Sequence, residues 1–229
     1  GGDRLHDLDM VNCFPTFAIY MAELYGVKCD ALKEYVTRDR EGILKEIMVL
    51  HNVDRDTAKN CPLGILHGGN YWSGMAGNCV RGKEKVPLME ALEVEAAGLR
   101  IAALKSELPL EKSVLQAREF LKTVKGKSDD GVFGSTQVDR SLFSLIMQTR
   151  EDRILGCMLK YCNKKGVTVE SLQFDGLLIS CPSTISIPKL IEELEIDIKV
   201  QCGIPMKLVE KGLYRLPHQS IVDELARVV

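Results

Sequence analysis

Apolar and polar positions change period several times along these 229 residues, and each change marks an expected element. Residues 5–12, Leu-His-Asp-Leu-Asp-Met-Val-Asn, alternate with period two. That predicts a short strand carrying Asp7 and Asp9 on one face. After Pro15 the apolar spacing turns helical over 16–25, with Gly26 as the stop. An amphipathic pattern over 31–50, interrupted around 37–39, predicts two short helices. The stretch 54–69 predicts another, with Asp54 or Asp56 suited to its N-cap and Gly68-Gly69 to its end. Pro62 falls inside that helix, where proline costs about 3 kcal/mol, so a kink or a less regular segment is expected.

Residues 70–85 are rich in glycine, with Arg81, Lys83 and Lys85 among them, and read as a loop. Strong helical periodicity follows over 87–108, and a second helix is expected over 110–122. Residues 122–134 mix Lys, Gly, Ser and Asp without a period, a flexible loop, and 138–164 read as one long helix. From Ser171 to Ser180 two apolar runs flank Asp175-Gly176. Asp-Gly between strand-formers predicts a β-hairpin whose two turn positions both take positive φ, with Asp175 at the tip. Residues 190–195 begin a helix or a short strand, and 214–229 offer no pattern that assigns a role.

Composition narrows the picture without naming a function. A hydrophobic fraction of 45% and a charged fraction of 27% suit one soluble domain or two small ones. No apolar run has transmembrane length, and the start, Gly1-Gly2-Asp3-Arg4, lacks a signal-peptide core, so no membrane partner is expected. Eight cysteines form no C-x-x-C pair, which argues against zinc and for reduced, mostly buried thiols in an intracellular protein. A net charge of −2 leaves any polyanion site to local clusters of Lys and Arg.

Candidate chemistry starts at Asp175. A carboxylate on a rigid hairpin can ligate Mg²⁺, but phosphoryl-transfer sites need a second carboxylate to hold two ions about 4 Å apart. Asp9, near the end of the first strand, is the candidate partner. Arg55, Lys59 and Leu63 fall at i, i+4 and i+8 on nearly one helical face. Two cations at that spacing repel slightly unless an anion lies between them. The plainer alternatives are a turn residue at Asp175, surface carboxylates, and a solvated charged face.

Taken in order, Asp9-Met10-Val11-Asn12-Cys13-Phe14, then Arg55-x3-Lys59-x7-His67-Gly68, then Gln173-Phe174-Asp175-Gly176 resemble the three signature motifs of family A DNA polymerases, the bacterial DNA polymerase I type. Arg140-x3-Ser144-x3-Gln148 resembles the family's R-x3-N-x3-Q helix, and Ile204 to Glu210 its closing strand. The chain departs from the family pattern at Phe14 in place of Glu, Leu63 of Phe, His67 of Tyr and Ser144 of Asn. Phe174 and Gly176 also replace the His and Glu that flank the third-motif Asp. The pattern resembles a divergent branch of viral or mobile-element type.

The resemblance implies an α+β fold, an antiparallel palm sheet bearing Asp9 and Asp175 with a helical fingers insertion. The palm would comprise residues 1–27 and 139–213, the fingers 28–138, and a C-terminal extension 214–229. It implies template-directed DNA synthesis with two Mg²⁺ ions held by Asp9 and Asp175. Lys59 and Arg55 would neutralise the triphosphate of a deoxynucleoside triphosphate, with Leu63, His67 and Phe14 around the incoming nucleotide. Arg140, Ser144 and Gln148 would reach the DNA primer-template through its minor groove, where acceptors are nearly sequence-independent. The family's thumb and exonuclease domains are expected to be missing from this chain. Phe14 is either a volume gate against the ribose 2′-hydroxyl or an ordinary core residue. Two rival functions are a catalytically degenerate module that binds nucleic acid or a replication partner, and a nuclease using the same Asp pair. The nuclease lacks a third carboxylate or a placed His.

Overall fold

A computed structural model of the chain describes residues 4–73, 75, 84–107, 116, 120 and 137–212. In chain order the elements are β1 (Arg4–Met10), α1 (Cys13–Leu24), α2 (Asp30–Thr37), α3 (Arg40–His51), α4 (Arg55–Leu66), α5 (Pro87–Glu107), α6 (Gln137–Lys164), β2 (Thr168–Gln173), β3 (Gly176–Cys181), α7 (Ile187–Cys202) and β4 (Leu208–Lys211). The fold is α+β, with one four-stranded antiparallel sheet and seven helices among the described residues. The chain divides into two compact units, Gly1–Val11 with Arg153–Val229, and Asn12–Asp152. Nearly all of the helix expected at 110–122, the loop at 122–134, most of that at 70–85 and the extension at 214–229 lie outside the described residues.

The first unit holds the sheet, in the order β2-β3-β1-β4. β1 pairs with β3 on one side, Asp9 opposite Gly176, and with β4 on the other, Asp7 opposite Lys211. The expected alternation of β1 is present: Leu8 and Met10 are buried, while Asp7 and Asp9 point the other way and stay partly exposed. Leu177, Ile179 and Cys181 continue the buried face on β3, and Ile187, Leu190, Leu194 and Ile198 are the buried residues along α7. Each such side chain contributes about 1.5 to 3 kcal/mol by leaving water. Glu195 of α7 accepts from the Leu208 N–H at 2.9 Å and from the Lys207 ammonium at 2.6 Å, which fixes β4 alongside β1.

Two expectations need correction, and one left open between helix and strand is resolved. The hairpin loop is Phe174-Asp175, not Asp175-Gly176: Gln173 pairs with Gly176, which already belongs to β3. Only Phe174, at φ 20°, has a positive φ there. A Cβ at Gly176 would strike the Leu8 carbonyl oxygen and lie 3.0 Å from Asp9 Oδ1 and 3.2 Å from Asp9 Cα. Close approach of β1, rather than turn conformation, demands this glycine. The segment around 190–195 is wholly helical within α7, capped by Gly203 at φ 75°. α1 starts at Cys13, three residues before the expected start, because Pro15 falls in the first turn where no intrahelical N–H bond is lost.

The second unit is helical. α2 and α3 break where the pattern lapses, and Asp39 caps α3 by accepting from the N–H groups of Glu41 and Gly42. Asp54 caps α4 through the Thr57 N–H at 2.7 Å. Pro62 is carried inside α4 and buried. The N-terminus of α2 is capped from a distance: the N–H groups of Ala31 and Leu32 donate to the buried Glu95 carboxylate of α5 at 3.1 and 3.0 Å.

Candidate functional site

Antiparallel pairing carries the two expected metal carboxylates to one place. Asp9 is the penultimate residue of β1, Asp175 ends the two-residue loop into β3, and the Met10 N–H donates to the Asp175 carbonyl at 2.8 Å. Asp9 pairs with Gly176, the residue after Asp175, so the two carboxyl groups share one end of the sheet and interact electrostatically. Burial raises the Asp175 pKa above the ordinary carboxylate value, and the neighbouring Asp9 charge raises it further. Asp9 is also ion-paired with Lys211.

This donor set fits a divalent cation. Two hard carboxylate oxygen donors at a strand end repel each other, and a bound Mg²⁺ would relieve that repulsion. Among the described residues no group of three or more His, Cys, Asp and Glu side chains is placed to hold a metal. The site therefore offers two protein carboxylates and leaves further positions to water or to a substrate phosphate, as Mg²⁺ commonly accepts.

In the helical unit, Arg55, Lys59 and Leu63 follow one another along one side of α4, with Arg55 and Lys59 exposed and Leu63 half-buried. Arg55 is engaged within the unit: its Nε and Nη2 donate to the two Glu41 oxygens at 3.0 and 2.5 Å. Exposed ion pairs are weak, so this one leaves Arg55 exchangeable toward another anion. His67 is the C-cap of α4, and its ring centroid lies 4.4 Å from that of Phe14. His67 is exposed overall, and desolvation of the covered part of its ring lowers its pKa. Phe14 lies 6.3 Å from Phe17 and is half-buried, so the structure joins two expected nucleotide-contacting residues, Phe14 and His67.

Arg140, Ser144 and Gln148 are spaced by four along α6. Gln148 is exposed, and the other two are half-buried. Arg140 packs where Gly68, at φ 85°, leaves room: a Cβ on that glycine would lie 3.4 Å from the Arg140 Cβ. Beside it the buried Arg100 donates to the Gly68 carbonyl at 3.0 Å. Burial, and then the Arg140 charge, lower the Arg100 pKa.

Glu95, Arg100, Glu41 and Lys211 are the positioning groups that sequence reasoning missed. Each acts over 14 or more positions of chain, as in Arg55 to Glu41, and no local period marks such contacts.

No protein-family model matches the chain. It is 26% identical over 208 residues to a Sputnik virophage protein described as "Putative helicase V13", a match covering 90% of this chain and 24% of that protein. The chain thus spans about a quarter of that relative's length. No described helix is long and apolar enough to cross a membrane.

Proposed function

We propose that the chain is a palm and fingers module of family A polymerase type that performs template-directed DNA synthesis. The observation that carries this reading is the meeting of Asp9 and Asp175, far apart in the sequence, at one end of an antiparallel sheet. Magnesium held there would supply positive charge that lowers the pKa of a primer 3′-hydroxyl and offsets charge on the α-phosphate. The chain's own part is positioning. Gly176 lets β1 approach the hairpin and Glu195 fixes β4 beside β1, while in the helical unit Lys59 is exposed, as a phosphate-neutralising cation requires. Phe14 and His67 offer an aromatic surface to a nucleotide ring or sugar.

The virophage relative's helicase description points toward nucleic acid, and helicase motors hold ATP on a G-x4-G-K-S/T loop. This chain has two Gly-Lys pairs, Gly82-Lys83 and Gly126-Lys127. The first is followed by Glu84 and the second has Leu121 where the leading Gly belongs, so neither completes the loop. A polymerase-type role for these residues is therefore compatible with a motor elsewhere in such a relative. The second reading is a catalytically degenerate module that binds nucleic acid, favoured by the engagement of Arg55 with Glu41 and by Pro62 inside α4. The experiment that separates them incubates the chain with a labelled primer-template, deoxynucleoside triphosphates and Mg²⁺, with EDTA as control. Extension abolished by EDTA is the expected result; binding without extension supports the degenerate module.

A further inference from the structure

The carboxylate pair has a cation of its own. Lys211 is the last residue of β4, opposite Asp7 on β1, and its ammonium is ion-paired with Asp9. Period-two alternation puts Asp7, Asp9 and Lys211 on the same face of the sheet, away from the buried Leu8 and Met10. The Asp9 side chain is only 14% exposed and that of Lys211 is 54% exposed, so the lysine reaches a sheltered carboxylate from the solvent side. β4 itself is tied down on both sides, by Glu195 at Leu208 and by His6, whose Nδ1 lies 2.7 Å from Glu210 Oε1. The stem of Lys211 therefore starts from a fixed point, while its ammonium swings on four flexible carbons.

We propose that Lys211 is a resident counter-cation of the Asp9 carboxylate, displaced when a divalent ion binds, and that it thereby sets the cation concentration at which the site fills. The proposal rests on Asp9 and Asp175 being metal ligands. An ammonium and a divalent ion compete for the same carboxylate oxygens and repel each other within a few ångströms. Without metal, Lys211 offsets the charge of Asp9 and contributes to the field around Asp175 and Asp7. With metal, its displacement opposes binding, and a neutral residue at 211 removes that opposition.

The test titrates Mn²⁺ alone into the full chain, reading free Mn²⁺ by electron paramagnetic resonance, with circular dichroism reporting the fold. Lys211→Met and Lys211→Gln should bind Mn²⁺ roughly threefold to tenfold more tightly than wild type, and Lys211→Arg should not. Two neutral variants guard against one failing to fold. Unchanged or weaker binding in a folded neutral variant, with wild-type binding lost in Asp9→Asn, overturns the role of Lys211 and leaves the metal site standing. No Mn²⁺ binding by wild type or either neutral variant overturns the metal site and this proposal together.

Discussion

Replacing Gly176 by alanine tests the geometry that brings Asp9 to Asp175. The added Cβ would meet the Leu8 carbonyl oxygen, with Asp9 Oδ1 at 3.0 Å and Asp9 Cα at 3.2 Å. Two of these three atoms are backbone, so no side-chain rotation relieves the clash, and β1 must move away from β3. Overpacking of this kind costs about 1 to 3 kcal/mol. In a chain of this size that lowers the melting temperature by roughly 2 to 12 °C, at about 2 to 4 °C per kcal/mol. Asparagine makes the experiment discriminating. At a turn position of positive φ, Asn is tolerated better than Ala, whereas at a close approach the larger side chain is worse. The expected order of melting temperatures is Gly176, then Ala, then Asn, with Mn²⁺ affinity falling in the same order as Asp9 shifts. An Asn variant as stable as wild type would refute the close-approach account and return Gly176 to the turn.

Other expectations follow from the same structure. Because the folded state raises the pKa of Asp175, it holds a proton that the unfolded chain has released over the window above about pH 4. Stability is therefore lost as pH rises through that window, and Asp175→Asn should melt higher than wild type at pH 7 and equal to it below about pH 4; a variant less stable at pH 7 contradicts the assignment. Pro62→Ala should stabilise the chain by about 1 kcal/mol in urea unfolding, since proline's cost of about 3 kcal/mol in a helix exceeds two lost methylenes at about 0.8 kcal/mol each. A loss of stability would mean that α4 needs the proline ring. Phe14→Ala, at a half-buried position, should cost about 1 to 2 kcal/mol, below the 3 to 5 of a fully buried Phe. If Phe14 is a gate, the same variant raises ribonucleotide incorporation relative to deoxyribonucleotide; equal depression of both leaves it as core.

Local physics was legible in the sequence where the local pattern was sufficient. The alternation in β1, the break between α2 and α3, an N-cap at Asp54 or Asp56 and the long α6 all follow from period and capping chemistry, and Asp54 is the cap used. The hairpin was legible but its register was not, because the one-residue shift is set by β1 pressing on Gly176. α7 was ambiguous because a short apolar run fits a strand or a helix equally until its neighbours are known. The Asp9–Asp175 pair was reached through motif order. Its crowding and the Lys211 ion pair depend on antiparallel registers that no single stretch encodes.

The central proposal is that Asp9 and Asp175 act as metal ligands for nucleotidyl transfer. Its most direct test measures primer extension and primer-template binding side by side for wild type, Asp9→Asn and Asp175→Asn, at equal fraction folded. The expected result is Mg²⁺-dependent extension by wild type, its loss in both variants, and binding retained, since each change would remove a proposed metal ligand rather than a DNA contact. Extension that survives either substitution would contradict it.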